Sequence, residues 1–239
     1  MLKTKAIVLH SIKYNDSSLI THCYTEQLGR QSFLLKGILS AKKGMLRKAY
    51  FQPLNQLEIV FQPKNNGGLQ FLKEVKVINP YQSIPLRIEK NAIVIFIAEV
   101  LKKVLQEEEA NIPLYQFLES SLIWLDLHDE AQNFHLLFLL KISKFLGFYP
   151  NNENLSLPYF DLVTGCFTAM PPIKESVEGL QVTQLKSLLG MNFGEVNSLK
   201  LNRNSRSDLL QTLLRYFELH LQGFRPPKSL PILNAIFEN

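Results

Sequence analysis

Four cations fall within one short stretch, Lys42, Lys43, Arg47 and Lys48, and Arg30 and Lys36 precede them. Tyr14, Phe33 and Tyr50 lie in the same part of the chain. Cations neutralise phosphates and flat rings accept stacked bases, so this mixture suits strand binding rather than bond breaking. Each group also has a plainer reading. Lysines solvate a surface, and aromatic residues on strands fill a core, which is the expectation for Phe33 in particular.

Catalytic constellations are scarce. The glycines are scattered, and Gly67-Gly68 falls between two strand-like segments rather than at a strand-to-helix junction, so no phosphate loop is expected. The five histidines, His10, His22, His128, His135 and His220, never pair at metal-ligand spacing. His10 and His22 fall on strand-like segments and are expected to be satisfied or surface residues. Glu107-Glu108-Glu109 reads as the solvated end of a helix. Cys23 sits among strand residues as an inert core thiol, and Cys166 has no neighbouring histidine to activate it. The expectation is a non-enzymatic protein with no cofactor and no small-molecule substrate.

The elements that must position the cations follow from pattern and composition. Hydrophobic residues make up 46% of the 239 and charged residues 20%, an ordinary globular balance. The longest apolar stretches, Ala92–Val100 and Leu136–Leu140, are too short to span a bilayer. Met1–Leu9 lacks the apolar core of a secretory signal. Two distant cysteines give no disulfide framework. A cytoplasmic location is therefore expected. Charge is unevenly spread: residues 1–80 hold 12 Lys+Arg against 4 Asp+Glu, and the remainder 14 against 17. A positive first third suggests that one domain meets a polyanion.

That first third reads as strands: Thr4–Ile12, Leu19–Tyr24, Gln31–Leu35, Leu54–Phe61 and Leu69–Ile78. Tyr14–Ser18, Gln27–Arg30 (with Gly29 at positive φ) and Lys64–Gly68 supply the turns, and Ser40–Tyr50 is a basic loop ending in a helical turn. Five short strands in about eighty residues suit an OB-fold barrel, with an SH3-like barrel as the alternative. Asn79-Pro80 and Pro85 mark a boundary. Beyond it, Ile88–Gln106, Leu114–Leu125, Ala131–Phe148, Val182–Leu189 and Ser205–Gln222 read as helices, with Ser205 or Ser207 as a cap and a last short helix in Lys228–Phe237. Tyr159–Phe160 and Cys166–Phe167 flank Thr164-Gly165 as a small hairpin. The predicted fold class is α+β: a five-stranded OB-fold barrel over 1–80, then a mainly α-helical domain over 81–239 with an irregular lobe at about 148–172.

Several of these segments are similar to one family. Lys5–His10, Tyr14–Ile20, Thr25–Arg30 and Lys36-Gly37 resemble the opening of RecO proteins, the bacterial recombination mediators. Phe51–Leu54, Asn79-Pro80-Tyr81, Phe145–Pro150 and Pro227-Lys228-Ser229 extend the resemblance over nearly the whole length. It implies an OB-fold that binds single- and double-stranded DNA and a role in recombinational repair on the bacterial nucleoid. It further implies annealing of complementary strands and, with RecR, loading of RecA onto DNA coated by single-strand-binding protein (SSB). DNA contacts would fall on Arg30, Lys36, Lys42, Lys43, Arg47, Lys48 and Tyr14. The helical domain would take the acidic SSB C-terminal tail, with Phe138, Lys141, Lys144, Phe145 and Lys228 as its pocket. Against that reading, Phe138 and Phe145 are plain core and the lysines only snorkel.

Two departures from the family pattern matter. Many members bind a structural zinc through four cysteines after the Leu-Gly-Phe-like motif; here Pro150–Pro172 holds only Cys166, and one thiolate cannot build a tetrahedral site. No metal is expected, and Tyr159, Phe160, Phe167 and neighbouring apolar residues should hold the lobe instead. Where members place an arginine after Lys36-Gly37, this chain has Ile38-Leu39-Ser40, with its cations later in the loop. The alternative function is that of an RNA- or translation-associated OB-fold protein, whose barrel would use similar basic loops.

Overall fold

The computed structural model describes residues 1–40, 47–64 and 68–237. Lys42 and Lys43 lie outside the described residues. The chain divides into two compact units, Met1–Leu127 and His128–Asn239.

In the first unit five antiparallel strands, β1 (Leu2–Lys13), β2 (Leu19–Thr25), β3 (Gly29–Leu35), β4 (Gln56–Phe61) and β5 (Leu72–Val77), form one sheet in the order β3-β2-β1-β4-β5. The two edges meet. Gln70, just before β5, bridges Phe33 of β3 in parallel, with Leu34 N–H donating to Gln70 O at 2.9 Å and Gln70 N–H to Ser32 O at 2.8 Å. That closure makes the sheet an OB-type barrel. Period-two alternation sends Ala6, Val8, Cys23, Phe33, Leu35, Leu57, Ile59 and Phe61 inward. Phe33 and Phe61 meet edge to face at 5.0 Å. Burial pushes the Cys23 thiol up to about 12, which leaves it inert as expected.

β1 is buried on both faces, since Ile7 and Leu9 are as covered as Ala6 and Val8. The cover is helical: α1 (Ile88–Val104) packs against β1 and, with α2 (Ile112–Leu127), belongs to the barrel's compact unit. Gly29 shows how close the helical segment comes. It has φ +58°, and a Cβ there would collide with the Glu109 backbone, so no other residue fits. The segment between barrel and helix is pinned by Asp126, whose carboxylate accepts from the backbone N–H groups of Gln82, Ser83 and Ile84 at 2.8 to 2.9 Å. Lys90, almost wholly buried, donates to the Asp126 carbonyl at 3.0 Å.

The second unit holds α3 (Phe134–Phe145), α4 (Gly179–Leu189), α5 (Arg203–His220) and α6 (Leu230–Phe237), with a 3-10 turn at Phe193–Ser198. The cap of α5 is Asn202, which accepts from Ser205 N–H, rather than Ser205 or Ser207. The helix begins at Arg203, directly after that cap, two residues before the start read from the apolar pattern, because Arg203 and Asn204 add nothing to that pattern. The lobe is a three-stranded sheet, β7-β6-β8, made of β6 (Tyr159–Asp161), β7 (Cys166–Thr168) and β8 (Ser176–Glu178). Phe160 packs on Phe167 at 4.9 Å and on Tyr216 of α5 at 5.8 Å. The Tyr216 hydroxyl donates to Phe148 O at 2.9 Å. Gly165, at φ +68°, leaves room for that hydroxyl. Lys186 donates to Leu157 O at 2.7 Å and stands 5.3 Å over Phe167. Among the described residues no group of three His, Cys, Asp or Glu is placed to hold a metal ion, and no helix is long and apolar enough to cross a membrane.

Candidate nucleic-acid interface

Tyr14 stands in the β1–β2 loop with 57% of its surface exposed. The loop is fixed by its own side chains: Ser17 N–H donates to Asn15 Oδ1 at 3.0 Å, and Tyr14 N–H donates to Ser18 O at 3.0 Å. Leu39 N–H donates to Ser17 O at 3.0 Å, so this loop is tied to the turn that follows β3. That turn carries Lys36, which is exposed. Its ammonium lies 5.0 Å from the ring centre of Phe71.

Phe71 was not among the stacking candidates of the sequence, yet it is the ring best placed for the task. It is 41% exposed on the closing seam of the barrel, and Lys64 approaches it as well, at 4.5 Å. Lys64 is anchored at both ends: its N–H donates to Gln70 Oε1 at 3.1 Å and its ammonium to Leu69 O at 2.9 Å. An exposed ring with two ammonium groups over it is a cation–π arrangement that sets an aromatic surface beside positive charge. The sequence alone leaves Phe71 open, and the register decides it. Phe71 immediately precedes β5, whose first residue, Leu72, packs on the core, and Phe71 itself stays exposed.

The other predicted residues divide. Phe33 is in the core and Tyr50 is half-buried against it. Arg47 and Lys48 are exposed at the start of the 3-10 turn Lys48–Phe51. Arg30 opens β3 and is tied to the end of the α1 region: its backbone N–H donates to Glu107 O at 3.1 Å and its guanidinium to Gln106 Oε1. Lys3 and Lys5 are paired with Glu58 and Glu119, which subtracts them from the positive surface.

In the second unit Phe138 is fully buried, 5.9 Å from Phe134, so it lines no surface slot. Lys141 and Phe145 are half-buried, while Lys144 and Lys228 are exposed. Burial lowers the Lys141 amine from its ordinary range, helped by the Lys144 charge and opposed by Glu195. A pocket of about 140 Å³ opens elsewhere, lined by His135, Arg203, Arg206, Ser207, Leu210 and Phe237. Phe237 stacks on His135 at 5.6 Å and takes the Arg206 guanidinium at 5.8 Å. Sequence reasoning did not find it, because its residues come from three helices.

Two family models match the chain: recombination protein O N terminal over residues 1–81 and recombination protein O C terminal over residues 85–231. The chain is 44% identical over 237 residues to the DNA repair protein RecO of Christiangramia forsetii, with 99% of each chain covered. It is 42% identical over 236 residues to that of Flavobacterium psychrophilum, again with 99% of each covered. To that of Bacteroides fragilis it is 38% identical over 240 residues, with 99% of each covered. Matched from the barrel to the last helix, the chain belongs to the RecO family.

Proposed function

We propose that this chain is a DNA repair and recombination mediator that acts by holding strands, without a covalent step. The barrel of residues 1–80 binds single- and double-stranded DNA and anneals complementary strands. With RecR the chain helps load RecA onto SSB-coated DNA. The observation that supports the DNA contact is the exposed Phe71 ring with the Lys36 and Lys64 ammonium groups over it. Stacking supplies sequence-tolerant contact and the cations neutralise phosphates, while a basic surface that holds two strands lowers their mutual repulsion.

The test is anisotropy of a labelled single strand. Phe71→Ala weakens binding by about 1–3 kcal/mol, the worth of one base–aromatic stack. Changing Lys36 and Lys64 together to Gln flattens the salt slope by roughly 1.4, at about 0.7 per phosphate on single strands. Unchanged affinity in Phe71→Ala removes the seam from the interface. The RNA-binding alternative predicts tighter binding and faster annealing of RNA than of DNA at matched salt.

The second unit takes the SSB tail, whose chemistry of an aromatic ring beside carboxylates calls for an apolar surface rimmed by cations. Lys141, Lys144, Phe145 and Lys228 are its proposed contacts. Titration of a labelled tail peptide against Lys141→Glu should show clearly weaker binding, and undiminished binding clears Lys141 of the role.

A further inference from the structure

The outward face of β1, β2 and β3 carries a group that the stacking seam does not use. His10 and His22 are cross-strand partners, and His22 is in turn opposite Ser32. The two rings stack with centres 4.4 Å apart and planes 16° from parallel. Ser32 Oγ lies 2.7 Å from His22 Nδ1, whereas His10 Nδ1 is buried with no hydrogen-bond partner. On the same face, two pairings further along, Tyr24 is opposite Arg30.

The charges that act on the rings are of one sign. Arg30 from β3 and Lys102 from α1 both disfavour protonation of His10 and of His22. Glu107, the nearby carboxylate, acts on Tyr24 instead. Burial first, then the facing His22 ring, and these cations after it bring His10 down to about 3; burial and the two cations lower His22 as well. Two neutral imidazoles in a positive, half-buried field make a poor seat for a metal cation, and parallel rings do not converge on one point. They make a good seat for an anion, which relieves the field and can accept hydrogen bonds from the rings.

The geometry points to a phosphate-binding patch at His10, His22, Arg30 and Lys102, occupied by a phosphodiester of a nucleic-acid strand and coupled to proton uptake. This rests on the strand-binding reading above and extends it. Arg30 near the start of β3 and Lys36, the first residue past its end, are six positions apart, about 20 Å at about 3.3 Å per residue, so one strand laid along β3 reaches from the Phe71 seam to the histidine pair. A phosphate beside the rings raises their proton affinity. Between the free and the bound titration ranges the complex therefore takes up a proton, and binding tightens as pH falls.

The experiment measures anisotropy of a labelled oligothymidylate with the full chain, at constant ionic strength, from about pH 8 to about pH 5.5. Wild type is compared with His22→Gln and with His10→Gln/His22→Gln. Wild type should tighten about tenfold over that range, as expected when the uptake of one proton extends over about one pH unit of it, and the double variant about twofold or less. Imidazole resonances of the wild-type protein, followed by NMR with and without the oligonucleotide, should titrate at higher pH when it is bound. They decide the matter if a variant does not fold. Inorganic phosphate forms the control arm; if it moves the imidazoles and the oligonucleotide does not, the strand assignment is overturned. Equal pH slopes in wild type and double variant, with unmoved imidazoles, overturn the histidine patch and leave the Phe71 seam standing. A wild-type chain that binds no oligothymidylate at any pH overturns the strand-binding reading itself.

Discussion

Asp126 is nearly buried and yet belongs among the ionised carboxylates. Burial alone would raise its titration range, but the N–H groups of Gln82, Ile84 and Ser83 outweigh that effect and hold it below the ordinary value. A carboxylate lowered in the folded state stabilises the fold above its ordinary range near 3.8, and that contribution is lost as pH falls through the folded value. Asp126→Ala should therefore destabilise the first unit by about 1–3 kcal/mol at neutral pH, read by urea unfolding, because three backbone donors, that of Ile84 buried, lose their acceptor. The gap between variant and wild type should narrow in acid. A gap independent of pH would mean that the carboxylate charge is not what matters. The same scale sets a limit on what the sequence reveals. Tyr14 is legible as an exposed ring because it sits among turn formers, and Phe33 as core because its strand alternates. Phe71 is not, because an aromatic beside a leucine fits either face until the register is known. Nor is the occupation of Arg30, which depends on Gln106 and Glu107, far along the chain.

At the scale of elements, all five strands and six helices of the sequence reading have counterparts, because period-two and 3.6-residue patterns are long enough to recognise. The pieces it missed are short. Ser176–Glu178 is three residues with one apolar side chain, and the 3-10 turn Phe193–Ser198 has no period of its own. The lobe illustrates the gain from seeing the partners. Phe160 and Phe167 do pack there, but the parts that hold them, Tyr216 and His220, lie on α5; His220 Nε2 meets Leu162 O at 3.0 Å. An aromatic cluster thus holds the lobe together. Phe160→Ala should lower stability by about 3–5 kcal/mol, the usual cost of emptying a buried phenyl site. Incubation with a chelator should leave the unfolding midpoint of the wild type unmoved. A chelator-dependent drop would show that the lobe relies on an ion after all.

At the scale of the whole chain, charge and architecture divide together. The unit Met1–Leu127 holds 16 Lys+Arg against 11 Asp+Glu, and His128–Asn239 holds 10 against 10, so the entire net charge resides with the barrel. Electrostatic steering toward a polyanion is then a property of that unit, and it should fade with salt. The barrel itself is unevenly fastened. β1 and β2 pair over seven residue positions, while β3 is joined across to the β5 side by the Phe33–Gln70 bridge and its two amide bonds. Such a junction is where the cylinder unzips most readily, since little else must break with it. In deuterated solvent the Leu34 and Gln70 amides should exchange ahead of those in the β1–β2 ladder, and an occupied Phe71 should slow them. The stave where the barrel breathes is thus also the one a nucleotide would clasp shut.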